Sequence, residues 1–194
     1  VSTYVCPADA NSRNPLVPAT GPASMSDIAY MPGSYRAVSG RSDGFRFLDS
    51  QHAADYPREW RGVMHVSWVA GFKPESVRDI IDGTSHTLMV GDAITRSNPS
   101  YGTLWACSNT FYSLSAATPQ SRILLGDFDR CVQLGGDGGN SPCMRGWGSY
   151  HNAGSNFLLC DGSVHYLSLS IKPELFASLS TIAGKKPAWV PRSY

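Results

Sequence analysis

The sequence predicts an α+β domain that is predominantly antiparallel β, with long loops and two or three short helices. Three observations lead there. The chain has 19 Gly and 13 Pro in 194 residues, with abundant Ser and Asn, a composition of frequent turns and few long helices. Two apolar, β-prone runs, 156–160 and 163–169, flank Asp161-Gly162, a strong short-range hairpin signal. Helical periodicity is confined to 74–81 and 173–180, where Pro74 and Pro173 suit a first turn. At this length the default is one domain over residues 1–194, burying roughly 70% of its unfolded surface.

Along the chain, Cys6-Pro7-Ala8-Asp9 is followed by a stretch, 11–32, that is irregular by composition. Gly40-Arg41-Ser42-Asp43-Gly44 has the Gly-x-Ser-x-Gly form of a nucleophile elbow. That device needs a strand before it and a helix behind it in an alternating βα sheet, which the flanking residues do not supply. Ser42 is therefore set aside as a nucleophile, which leaves a hydrolase as the weakest reading. Asp82-Gly83-Thr84-Ser85 joins the helix at 74–81 to the apolar run 87–90, a junction where short oxygens bond nearby amides and form a turn. One carboxylate and two hydroxyls are too few for calcium, which takes about six to eight oxygens. Asp127, Asp129, Asp137 and Asn140 form a better Ca²⁺ set in a carbonyl-rich loop, without EF-hand spacing and with solvated turns as the competing reading. His52, His65 and His86 make no compact zinc motif with the cysteines, and there is no CxxC.

At the hairpin, a two-residue type I′ turn would set Leu159 beside Val164 and Phe157 beside Tyr166 on one buried face, with Asp161 at positive φ. His151 lies beyond the far end of the first strand, so it is not expected to share an ion with Asp161. Its expected role is to bond a loop end at the hairpin entry. Five cysteines allow fifteen choices of two pairs. Cys131 with Cys143 is the most economical, closing the glycine-rich loop 132–142 for about 3 kcal/mol in the chain-entropy account. Trp60, Trp68, Trp105 and Trp147 lie near expected strands and are assigned to the core. Trp189, in the proline-containing tail 185–192, is free to reach a neighbouring subunit.

Charge excludes some partners. With 16% charged residues, net charge +1 and scattered arginines, nothing favours nucleic acid or an anionic membrane surface. No window approaches the apolar run of about 18 residues that a membrane span needs.

Four ordered segments carry a family resemblance: Cys6-Pro7-Ala8-Asp9; the stretch from Asp82-Gly83-Thr84-Ser85 to Gly91-Asp92; His151 followed after nine residues by Asp161-Gly162; and Leu179-Ser-Thr181-Ile-Ala-Gly184. Together they resemble the pseudopilin-like family of planctomycete-type bacteria, whose members carry a C-terminal His-x9-Asp-Gly element. His86 and Asp92 depart from that family's Asn and Glu. The resemblance implies a pilin-like C-terminal globular domain, cut from a longer precursor whose apolar N-terminal helix would be its only membrane contact. It further implies a cell-surface or extracellular structural subunit that assembles with itself or with other pilin-like subunits. The alternative is a secreted carbohydrate- or solute-binding module that uses aromatic loops and calcium.

Overall fold

The computed structural model of the chain describes residues 2–21, 25, 27–48, 53–94, 98–107, 109–119, 128–134 and 142–184. Its strands are β1 (Pro32–Gly33), β2 (Tyr35–Arg41), β3 (Leu88–Asp92), β4 (Thr103–Leu104), β5 (Leu114–Ala117), β6 (Gly154–Leu159) and β7 (Val164–Ser168). Among the described residues there are two α-helices, α1 (Phe128–Gln133) and α2 (Pro173–Leu179), and several single-turn 3₁₀ segments. β1 and β4 form a small antiparallel ribbon. The main sheet has the order β5-β2-β3-β6-β7. Every neighbour pair in it is antiparallel except β2 with β5, which run parallel. The fold is α+β with predominantly β character. The parallel pair follows from the long excursion between β2 and β5, since a tight turn can only return a strand antiparallel.

Alternation decides which face of the sheet is covered. In β6, Ser155, Phe157 and Leu159 point inward and are fully buried, while Asn156 and Leu158 lie half-exposed on the other face. α2 packs on the buried face. Pro173 opens the helix with its fixed φ, and Phe176, Ala177 and Leu179 recur at helical spacing on its inner side. Phe176 meets Trp147 and Phe157 edge-to-face, with ring centroids 5.3 and 5.4 Å away. Each such ring removed from water contributes about 1.5–3 kcal/mol.

Three expectations are corrected. First, the hairpin is not a two-residue turn. Its register pairs Leu158 with Val164 and Phe157 with His165. Leu159 N–H donates to Ser163 O and Gly162 N–H to Leu159 O, so three residues make the loop, and Gly162 rather than Asp161 takes positive φ (88°). That single added residue reverses the faces of β7: Val164 and Tyr166 point out, and Leu167 is buried. Second, the expected helix at 74–81 is only a 3₁₀ turn, Val77–Asp79. The Asp79 carboxylate turns back to accept from Ser76 N–H (2.6 Å) and Oγ (2.7 Å), and Val77 and Ile81 face solvent, so no apolar stripe is buried to hold a longer helix. Third, only Trp147 of the four tryptophans is core. Trp60 is half-buried, Trp105 stacks on Tyr4 at the surface, and Trp68 is 76% exposed. Phe72 fills the core place beside Trp68, and the turn between them is closed by Trp68 N–H to Phe72 O.

Cys131, in α1, is bonded to Cys143, while Cys6, Cys107 and Cys160 are free thiols. Two buried arginines had no sequence signal. Arg36 donates to the carbonyls of Met144, Tyr101 and Gly102, and burial pulls its pKa down to about 10. Arg145 lies between the rings of Phe47 and Phe111, its guanidinium 4.3 Å from each centroid.

Candidate functional site

The sequence segments that stand out are brought together in space, and they meet at two places. The first is where the start of the described chain crosses the β2–β3 end of the sheet. Asp9 N–H donates to Cys6 O and closes a turn, which aims the Asp9 carboxylate at Asn11 N–H (2.9 Å) and Ser34 Oγ (2.8 Å). The Ser34 hydroxyl in turn accepts from Cys6 N–H at 2.9 Å. Cys6, Asp9 and Ser34 are all buried, so each polar atom must find a partner there.

His151 approaches the same point from the other end of the chain. Its backbone N–H donates to Ser149 Oγ, and its Nε2 lies 3.6 Å from Cys6 Sγ and 3.9 Å from Asp92 Oδ2. Asp92 is buried at the end of β3, where its carboxylate accepts from Asn156 N–H (2.7 Å) and from the Asn156 amide (3.3 Å). Burial raises the Asp92 pKa above the ordinary carboxylate range, with the Asn156 N–H and His151 opposing it.

Cys6, His151 and Asp92 do not form a nucleophile–base–orienter relay. The thiol and the carboxylate both face Nε2, whereas a relay needs them on opposite ring nitrogens. Nor, among the described residues, do three His, Cys, Asp or Glu side chains converge to hold a metal ion.

The second meeting place lies beneath the other end of the sheet. Asp82 N–H donates to Ile182 O, and Gly184 N–H donates to Asp82 Oδ2 at 2.7 Å, so the Asp82-Gly83 turn is tied to the segment that follows α2. Gly83 has φ of 95° and its carbonyl accepts from Thr87 Oγ1. Thr84 and Ser85 lie in the 3₁₀ turn Thr84–His86, where Ser85 Oγ is 3.3 Å from His86 Nδ1. Thr87 O then accepts from Cys160 N–H, linking this turn to the hairpin tip. At that tip the Asp161 carboxylate accepts from Ser163 Oγ (2.6 Å) and N–H (2.9 Å), which lowers its pKa. His151 and Asp161 therefore have separate partners.

The remaining candidates fall elsewhere. Ser42 is fully buried, donates to Arg46 O and accepts from Gly44 N–H, where an elbow nucleophile would stand exposed. Of the calcium set, Asp129 is exposed in α1, and Asp127, Asp137 and Asn140 lie outside the described residues, as do His52 and Trp189. Pro7 is exposed in the turn between Cys6 and Asp9. Sequence reading missed a groove of about 500 Å³ beside α2, lined by Arg41, Glu59, Trp60, Glu174, Thr181 and Gly184 among others. Arg41 pairs with Glu174 at 3.1 Å, and both Arg41 and Arg46 lie over the Trp60 ring. The only cue was the local run of Arg58, Glu59, Trp60 and Arg61, which does not reveal the distant wall from α2.

Against known families, residues 1–174 match a family model described as a protein of unknown function (DUF1559). The chain belongs to that family. No curated protein and no solved structure matches it.

Proposed function

We propose that this domain is a non-enzymatic structural subunit displayed at the cell surface as part of a pilin-like assembly. The four segments that resemble the planctomycete-type pseudopilin-like family support the reading, and the family match over residues 1–174 is consistent with a surface protein. The observation that carries it is what those segments do here. Cys6, Asp9, Asp92, His151, Asp82 and Gly184 use their polar atoms to tie distant stretches of chain together, in an arrangement that suits a rigid building block. The first described residues share in this: Ser34 N–H donates to Tyr4 O at 2.9 Å, so any segment preceding them would be coupled to the sheet. No helix among the described residues is long and apolar enough to cross a membrane. In this proposal the assembly element is the apolar N-terminal helix that the family resemblance implies.

The test is the N-terminal peptide and intact mass of the protein from its native source. A longer chain that opens on an apolar helix and copurifies with a surface filament or complex is expected. A native chain that begins near Val1 and is released as a free monomer would overturn the proposal.

The groove beside α2 favours one alternative, a module that binds a carbohydrate or small solute. Its volume lies in the range of small-ligand sites, and its lining includes an indole, an arginine and two carboxylates. A saccharide that protects Trp60 fluorescence, or a calcium-dependent thermal shift, would favour this reading over assembly.

A further inference from the structure

The two edges of the main sheet are treated differently. At β5 the edge is covered: Ala116 N–H donates to Arg145 O, and Ser115 Oγ donates to Gly146 O, so residues 144–147 occupy the place of a further strand. At β7 no described strand pairs with the outer side, and of the outer backbone groups only Ser168 O is engaged, by Ile171 N–H. The backbone groups left there follow from the printed ladder. Leu169 N–H donates inward to Ala153 O, and Ser163 O accepts inward from Leu159 N–H, so the odd-numbered residues of β7 face β6. By alternation the N–H and C=O groups of Val164 and Tyr166 and the N–H of Ser168 point outward, while Ser168 O accepts from Ile171 N–H in the turn that follows.

That outward row lacks the usual devices against edge pairing. Val164–Ser168 contains no Pro, no Lys, Glu or Asp, and no bulge. Val164 is 65% exposed and Tyr166 39%, with the Tyr166 ring held in place over Gly154 and its hydroxyl donating to Asn152 O. The row is also its own complement. An antiparallel copy related by a two-fold axis through Tyr166 sets Val164 opposite Ser168, Tyr166 opposite Tyr166 and Ser168 opposite Val164. Three facing pairs with about four bonds then form, Ser168 O of each copy being engaged by Ile171 N–H, and no like charges face each other. A shift of register by one residue would point the outward groups of one copy at the side of the other with none to offer.

We propose that β7 pairs with β7 of a second copy of this chain, joining two main sheets into one across a two-fold axis. The pairing deepens the assembly reading and rests on it for its purpose, but it requires only the residues described here. A single five-residue strand buries little area, so the contact is weak in free solution and is strengthened wherever copies are held close together.

The experiment is a register-specific cross-link in the full 194-residue chain, with Cys160→Ser as background so that the neighbouring thiol does not react. Mixing Val164→Cys with Ser168→Cys chains under mild oxidation is expected to give disulfide-linked heterodimers at several times the yield of either variant alone, because 164 faces 168 of the other copy. In parallel, Val164→Lys is expected to abolish concentration-dependent dimer in sedimentation velocity while leaving the near-UV circular dichroism of the buried Trp147 cluster unchanged. Cross-linking that is absent from the mixture, or equal in all three samples, overturns the pairing. If such a failure accompanies a native protein that is assembled at the surface, the pairing falls and the assembly reading stands.

Discussion

Gly91 sits in the middle of β3 directly against the aromatic cluster, and replacing it by Ala tests how tightly that cluster fixes the sheet. An added Cβ would lie 2.6 Å from Phe157 Cδ1, closer still to Cε1, and 2.8 Å from Trp147 Cδ1. Carbon atoms pack best at about 3.5–4.0 Å, so the Phe157 ring would have to move by roughly 1 Å. It has nowhere to go. Phe157 is fully buried, with Trp147 and Phe176 edge-on to it at centroid distances of 5.7 and 5.4 Å. Overpacking of this kind costs about 1–3 kcal/mol, and the enclosed ring argues for the upper end. Stiffening of the unfolded chain returns about 0.4–1 kcal/mol, leaving a net loss of about 2 kcal/mol. For a chain of this size that is a fall in Tm of about 4–8 °C.

Gly162→Ala supplies the control. Its Cβ would meet nothing within 4 Å, but φ is 88°, so the cost is backbone strain alone, about 1 kcal/mol. Urea unfolding followed by tryptophan fluorescence reads both variants, and Gly91→Ala combined with Phe157→Leu should lose less than the sum of the two single losses. A Gly91→Ala variant no less stable than Gly162→Ala, or additive losses in the double variant, would refute the packing argument.

Three further outcomes follow from the same contacts. Reducing Cys131–Cys143, which closes a loop of sequence separation 12, should lower stability by about 2–3 kcal/mol, read as a shift in urea midpoint with and without reductant; no shift would place the loop's order elsewhere. Because burial raises the folded-state pKa of Asp92, the folded protein holds this proton more tightly than the unfolded chain. Its contribution therefore declines as pH rises from the ordinary carboxylate range through the raised value. Asp92→Asn, which keeps an oxygen for Asn156, should remove that decline from the difference between the two pH profiles, and parallel profiles would contradict it. Burial, and secondarily Asp161, pushes the Cys160 thiol up to about 11, so only about a thousandth is thiolate at pH 8. Alkylation mapped by mass spectrometry should find Cys160 slow at that pH and accelerating steeply toward pH 10, with fast labelling at pH 8 as the contrary result.

Much of the fold was legible because it is written in local patterns. The apolar, β-prone runs on either side of Asp161-Gly162 marked β6 and β7, the first-turn proline marked α2, and the short spacing between Cys131 and Cys143 suggested their bond. The hairpin itself was legible from Asp161-Gly162, but its register was not. Asp-Gly suits both a two-residue loop and a three-residue loop with glycine last, and the choice depends on whether Leu159 or Val164 has room in the core. Trp68 misled for a related reason. Its neighbours read as strand, yet Phe72 holds the core position and the intervening turn forces Trp68 to positive φ (68°) in solvent. The buried arginines and the groove were out of reach because their partners lie far away in sequence: Arg36 depends on carbonyls at 101, 102 and 144, and Trp60 on α2.

The motif residues show how a sequence pattern can serve the fold itself. Each of the four segments uses a polar group to hold a distant stretch of chain: Asp9 accepts from Ser34, Asp92 accepts from Asn156 with His151 nearby, Cys160 N–H donates to Thr87, and Gly184 N–H donates to Asp82. For Asp9 and Asp92, which are buried, loss of the partner costs about 1–3 kcal/mol, a large share of the stability of a domain. Asp92 illustrates the constraint. A longer carboxylate there would have to withdraw from Asn156 or press toward His151 and Cys6, so its size is matched to Nε2 standing 3.9 Å away. On this account Asp92→Glu should disturb the contact between His151 and Cys6 more than Asp92→Asn does. The imidazole signals of His151 in an NMR spectrum would register the difference, and identical shifts in the two variants would show that residue 92 does not set the position of the ring.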